Sequence, residues 1–181
     1  MTAIHRALSR LGATILGIGL FVAAMTPAMA QQQGELRETF GDWELRCVAG
    51  SDECAITQIG KTADGQDVME VQIRKVANLR QQDGNQVPAL IVVSTPLEVA
   101  LKAGMRIQVD GEGNTVGLPY ERCFQRGCVV VEAMSDQAVD TFKQGNAATF
   151  TMVIIPNTEV RSNISLRGFT RAFNALKPTG G

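Results

Sequence analysis

Residues 41–58, GDWELRCVAGSDECAITQ, hold the chain's single tryptophan and two of its four cysteines, with six residues between them. Trp43, Leu45 and Cys47 alternate with Glu44 and Arg46, which is the period of a half-buried strand. Ala49-Gly50-Ser51-Asp52 is a cluster of turn formers, and ECAITQIG then resumes a β-prone run. Two strands joined by a short turn form a hairpin, and residues facing each other across it reach the Cα separation that a disulfide requires. The stretch therefore points to an antiparallel β fold in a compartment where disulfides persist.

The N-terminus agrees with that compartment. MTAIHRALSR carries Arg6 and Arg10 and no acid, LGATILGIGLFVAAM is an apolar run of about 15 residues, and Ala28 and Ala30 stand in an Ala-x-Ala arrangement before Gln31. These features predict a secretory signal peptide over residues 1–30, cleaved after Ala30. The apolar run is shorter than the roughly 20 residues a spanning helix needs, so no transmembrane anchor is expected. No cysteine follows the cleavage point to carry a lipid, and HRALSR lacks the paired arginines of the twin-arginine route. Residues 31–40 read as a flexible leader, 41–177 as a single domain, and KPTGG as a loose end.

Cleavage leaves roughly 151 residues, enough for one domain with its own core. It also removes His5, the only histidine. A chain without imidazole has no Ser-His-Asp or Cys-His nucleophile pair and no histidine-ligated zinc or copper site. Loss of two arginines leaves about 15 basic against 18 acidic side chains, a balance near −3 that argues against nucleic acid as a partner.

Cys47, Cys54, Cys123 and Cys128 admit three pairings. The strand reading favours Cys47–Cys54 and Cys123–Cys128, because the second pair also flanks a short turn, Phe124-Gln125-Arg126-Gly127, ahead of the β-branched run CVVVE. Zinc is disfavoured, since structural sites use C-x2-4-C pairs and these spacings are six and four. A redox pair is disfavoured by the lack of C-x-x-C.

Strand patterns recur beyond the hairpin. DVMEVQIRKV sets Met69, Val71 and Ile73 against Glu70, Gln72 and Arg74, and VPALIVVS is continuously apolar, as in a strand covered on both faces. MRIQVDG, TFTMVII and VRSNISLR add three more, the last opposing Val160, Ile164 and Leu166 to Arg161, Asn163, Ser165 and Arg167. Short strands at this spacing predict an antiparallel sandwich or barrel. Two short helices interrupt it: DQAVDTFKQ with Ser135 as N-cap, and GFTRAFNAL with Phe169, Ala172, Phe173 and Leu176 at i, i+3, i+4 and i+7.

Few residues invite a chemical role. Trp43 shares its face with Leu45 and Cys47 and reads as core, needing one partner for its indole N–H. Asp110 and Glu112 flank a glycine in VDGEGN and read as solvated turn residues; that stretch lacks the spaced ligands of a calcium loop. Met69, Met105, Met134 and Met152 are far apart and read as core filling rather than copper ligands. Arg161, Arg167 and Arg171 form a candidate surface stripe for phosphate-bearing envelope molecules. The turns at 46–54 and 110–115 are candidate contact loops. No catalytic residue, cofactor or metal site is assigned.

Together, GDW followed by C-x6-C, the TPLEVALKAGMRIQVDG segment, the Y-x-x-C-x4-C pair with Gly127 before its last cysteine, and the terminal SLRGFTRAFNAL resemble the invasion-associated locus B family. The similarity runs from about Gly41 to Leu176. It implies an exported protein of Gram-negative bacteria with an immunoglobulin-like β-sandwich, associated in pathogens with invasion of host cells, and no established enzyme activity. The expectation is a non-catalytic binding or structural module, periplasmic, outer-membrane-associated or secreted, with an envelope or host-surface partner. The alternative is a periplasmic hydrolase using carboxylates or a Ser-Lys pair.

Overall fold

The computed structural model describes residues 34–180. The signal-peptide expectation, at residues 1–30, lies outside them.

The alternating stretches form strands. The first five are β1 (Glu35–Phe40), β2 (Trp43–Cys47), β3 (Cys54–Lys61), β4 (Asp67–Ala77) and β5 (Ala89–Thr95). They are followed by β6 (Met105–Val109), β7 (Glu112–Leu118), β8 (Arg122–Phe124) and β9 (Gly127–Met134). Helix α1 (Asp136–Gln144), β10 (Ala147–Ile154), β11 (Thr158–Ser165), helix α2 (Phe169–Ala175) and β12 (Thr179–Gly180) complete the chain. The order across the sheet is β7-β6-β10-β11-β3-β4-β5-β9-β8, with β1 and β2 extending from β3. All pairs are antiparallel except β12 with β4. The sheet curls into an antiparallel β-sandwich of immunoglobulin-like character.

Apolar alternation explains the core. Trp43, Ile56, Val71, Ile73, Val93 and Val130 are fully buried from one layer, and Met105, Phe150, Met152 and Ile164 meet them from the other. All four methionines read as core filling are buried. In β5 only Ala89, Ile91, Val93 and Thr95 are buried, whereas Leu90, Val92 and Ser94 remain half-buried, so its second face is less covered than the apolar run implied.

The helices close one end. Ser135 Oγ accepts from the Ala138 N–H at 3.2 Å, and α1 buries Val139 and Phe142. The full stripe Phe169, Ala172, Phe173 and Leu176 is buried. Phe169 lies at ring-centroid distances of 5.4 Å from both Trp43 and Phe142 and 5.6 Å from Phe173. Lys75 Nζ donates to the Leu176 carbonyl at 3.1 Å and sits 4.8 Å from the Phe173 ring, placing a cation at the C-terminal end of α2. Burial, reinforced by Lys143, lowers the Lys75 pKa from its ordinary value.

Both favoured disulfides are present, with Cα atoms 4.0 Å apart in Cys47–Cys54 and 3.9 Å apart in Cys123–Cys128. Each joins directly opposed residues of a hairpin. Val48 N donates to Glu53 O at 2.9 Å, which places Cys47 and Cys54 at a non-hydrogen-bonded pair, where opposed residues approach most closely.

Two terminal expectations are corrected. Residues 35–40, within the expected flexible leader, form β1 against β2. Thr179 and Gly180, in the expected loose end, pair with Val76 and Ala77 of β4. Both segments are held through backbone pairing, and β1 itself is almost wholly exposed, so neither carries a burial pattern to read.

Two backbone approaches complete the assembly. Gly41, with φ +65°, packs on the Arg167 carbonyl, and Gly168, with φ +91°, packs on the Phe40 carbonyl. A Cβ on Gly168 would lie 2.0 Å from that oxygen, so Gly168→Ala should cost at least about 2 kcal/mol in urea unfolding. Gly65→Ala, equally left-handed at φ +85° but in open space, should cost only roughly 1 kcal/mol. Replacing Cys47 and Cys54 together by alanine should lower stability by roughly 2 to 2.5 kcal/mol on the chain-entropy account. The native chain should show no thiol that reacts with a labelling reagent.

Candidate functional site

The edge of β3 changes partner along its length. Cys54–Thr57 pair with β2, and only Lys61 pairs with β11, through Asn163. Between them the strands diverge and leave an open groove of about 790 Å³. Glu44 and Arg46 from β2, Gln58 and Lys61 from β3, Asp67 and Glu70 from β4, and Asn163 and Ser165 from β11 line it.

Gln58 spans the divergence with its side chain. Its amide oxygen accepts from Ser165 N at 2.7 Å, and its amide nitrogen donates to Ser165 O at 2.9 Å. The side-chain amide thus supplies the two bonds that a neighbouring strand would otherwise make. Trp43 Nε1 donates to the same carbonyl at 2.9 Å, which satisfies the indole partner that burial demands.

Most charged groups at the groove are paired, Glu70 being the exception. Arg46 Nε lies 2.7 Å from Glu44, and Lys61 is paired with Asp67. At the rim, Arg167 donates to both oxygens of Asp42, at 3.1 and 2.6 Å. The Arg167 guanidinium first, and then the Ser165 hydroxyl, hold the Asp42 carboxyl below the usual carboxylate range. The same pairing raises Arg167 above its ordinary value.

The serine and lysine nearest the groove are engaged with other partners. Ser162 Oγ donates to the backbone carbonyl of Lys61 at 3.2 Å, while the Lys61 ammonium is engaged by Asp67, so the neighbouring serine and lysine do not form a nucleophile and its base. A carboxyl held low, as at Asp42, does not supply protons near neutrality. Among the described residues no cluster of three His, Cys, Asp or Glu side chains could hold a metal ion, and every cysteine is in a disulfide.

The three candidate arginines belong to different elements. Arg161 is on β11, 3.8 Å from Glu159; Arg167 lies past the end of that strand, engaged by Asp42; Arg171 is exposed on α2. Asp110 is more than a solvated turn residue. Its carboxylate accepts from the backbone N–H groups of Asn146 at 2.9 Å and Ala147 at 2.9 Å, and these bonds, Ala147's first, lower its pKa. Gln58, Asp42 and Asp110 were not legible as structural residues, because each finds its partner more than 30 positions away in sequence.

Asp42→Asn should test the rim pair. A depressed carboxyl stabilises the folded state fully above the ordinary carboxylate pKa near 4 and loses that contribution as pH falls through its lower folded value. Arg167 is largely exposed, so the wild type should exceed the variant only slightly at pH 7. The difference should shrink in melts taken progressively below about pH 4.

Comparison with known proteins follows the same architecture. The sequence profile of the family described as invasion associated locus B (IalB) protein matches residues 43–177. Invasion protein B homologues of Brucella abortus strain 2308 and of Brucella abortus biovar 1 strain 9-941 are each 26% identical over 160 residues, covering 86% of this chain and 87% of theirs. The crystal structure of invasion associated protein B from Bartonella henselae superposes with a TM-score of 0.61 at 21% identity, over 77% of this chain and 94% of that one. The profile spans both disulfide hairpins, the Gln58 seam and the aromatic stripe of α2, and the chain belongs to the invasion-associated locus B family.

Proposed function

We propose that this chain is exported and acts in the cell envelope as a non-catalytic binding or structural module that contributes to invasion of host cells. The observation that carries the reading is the mutual engagement of polar groups at the groove: Asp42 with Arg167, Gln58 with Ser165, Lys61 with Asp67. Such a surface offers shape and charge to a partner while Asp42, Lys61 and Asp67 stay engaged with neighbours. Export is supported by the N-terminal signal pattern and by two disulfides in a small domain, an economy typical of oxidising compartments. The part in invasion is supported by the names of the Brucella and Bartonella relatives.

Cell fractionation with mass spectrometry tests this reading, together with cross-linking in intact cells. The expected result is a chain beginning at Gln31, recovered with envelope fractions, oxidised at both cysteine pairs and cross-linked to an envelope or host-surface component. A cytosolic chain retaining residues 1–30 would overturn it, as would turnover of an ester or glycoside substrate abolished by substitutions in the groove.

A further inference from the structure

Glu70 is the acid that the groove leaves unmatched. Asp42, Glu44, Asp67 and Glu70 line it against two bases, Arg46 and Lys61. Glu44 engages Arg46, Asp67 engages Lys61, and Asp42 engages Arg167 at the rim, so Glu70 has no ion-pair partner among the described residues. The flanking charges balance. Arg74, four positions along β4 and about 13 Å from Glu70 at the rise of a strand, lines a neighbouring depression with Glu53. Arg106 and Arg161 share Glu159, and Asp64 stands in the turn that follows Lys61.

The floor beside Glu70 carries a second unmatched group. Ile56 is fully buried in the core, so strand alternation turns Thr57 and Ile59 to the other face, where the groove lies. Thr57 stands opposite Glu44 of β2 and Gln72 of β4, and Ile59 stands opposite Glu70. Thr57 is only 7% exposed, and its hydroxyl has no hydrogen-bond partner among the described residues. A polar group so far withdrawn from water calls for a partner from outside the chain. Thr57 and Glu70 are diagonal neighbours across β3 and β4, roughly 7 to 8 Å apart. Ile59, 40% exposed, adds apolar surface next to both.

A free carboxylate, an unbonded hydroxyl and an apolar strip match an ammonium on an aliphatic stem. The N–H donors of an ammonium diverge, so one reaches Glu70 and another Thr57, whereas a planar guanidinium aims its paired donors at a single carboxylate. The stem lies along Ile59 while the charge stays at the wet end. The ethanolamine headgroup of a lipid also ends in an ammonium, but its short stem brings a phosphate in among Asp42, Glu44 and Asp67, which repel it.

We propose that the groove holds a lysine side chain of a partner protein, its ammonium on Glu70 and Thr57 and its stem on Ile59. This names the partner chemistry of the binding module described above and rests on that reading.

The test is proton–nitrogen correlation spectroscopy of the labelled, oxidised chain at constant ionic strength. The probe is N-acetyl-lysine N-methylamide, compared with the norleucine analogue, which keeps the stem without the ammonium, and with phosphoethanolamine. The lysine probe should shift the Thr57, Gln58, Ile59 and Glu70 amides saturably, with millimolar affinity. Glu70→Gln should weaken its binding about tenfold and Thr57→Val about threefold. Equal binding of the norleucine analogue, equal or tighter binding of phosphoethanolamine, shifts only elsewhere, or unchanged affinity in a folded Glu70→Gln chain would overturn the site. Where a variant fails to fold, the wild-type shifts and the two comparison probes decide. Envelope recovery and cross-linking without these shifts would sink the site alone, and lysine binding by a cytosolic chain would sink the envelope reading alone.

Discussion

The Ser165 backbone is the point on which the rest of the structure turns. Its carbonyl accepts from both Trp43 and Gln58, and its N–H donates to Gln58, at the place where β3 leaves β2 and approaches β11. Backbone groups withdrawn from water must be bonded, and on the side of Ser165 away from β10 no paired strand does it. Two side chains from the first hairpin take the strand's place. That choice fixes the hairpin against β11, and it brings Gly41 onto the Arg167 carbonyl and Gly168 onto that of Phe40. Phe169 then has only one place to go, edge-on to Trp43 at 5.4 Å, with Phe142 and Phe173 around it.

Closing one end in this way differentiates the molecule along its length. The helices fill the end nearest Trp43 with aromatic rings, while loops at the other end keep Leu97, Phe124 and Ile155 in solvent. The groove on the side opens where β3 and β11 part, and its lining mixes charged and amide side chains with Ile59 and Ile164. A covered end, an open groove on the side and an end with exposed apolar side chains fit the proposed work of binding. Most charged groups nearest the groove pair with one another.

Much of this was legible from residue order because the core repeats a local rule. Alternation places Trp43, Leu45 and Cys47 on one face, and Val71, Ile73 and Met69 on another, and burial follows. The α2 stripe was readable for the same reason at a helical period. Each disulfide closes across a turn of a few residues, so proximity in sequence nearly dictates proximity in space. The strands without such a rule were missed: β1 is almost wholly exposed, β7 starts inside the stretch read as the 110–115 turn, and β12 is two residues that pair in parallel with β4.

The amino-acid order alone determined the period of the core strands, the hairpin disulfides, the helix stripes and the family resemblance, since all of these depend on neighbours within about a dozen residues. Only the folded chain decided that Gln58 would stand in for a strand, that Asp42 would clasp Arg167, that Asp110 would hold the start of β10, and that Leu97, Phe124 and Ile155 would gather at one tip. These are meetings between residues many tens of positions apart, chosen by the closure of the sheet and by the demand that its buried polar groups find partners.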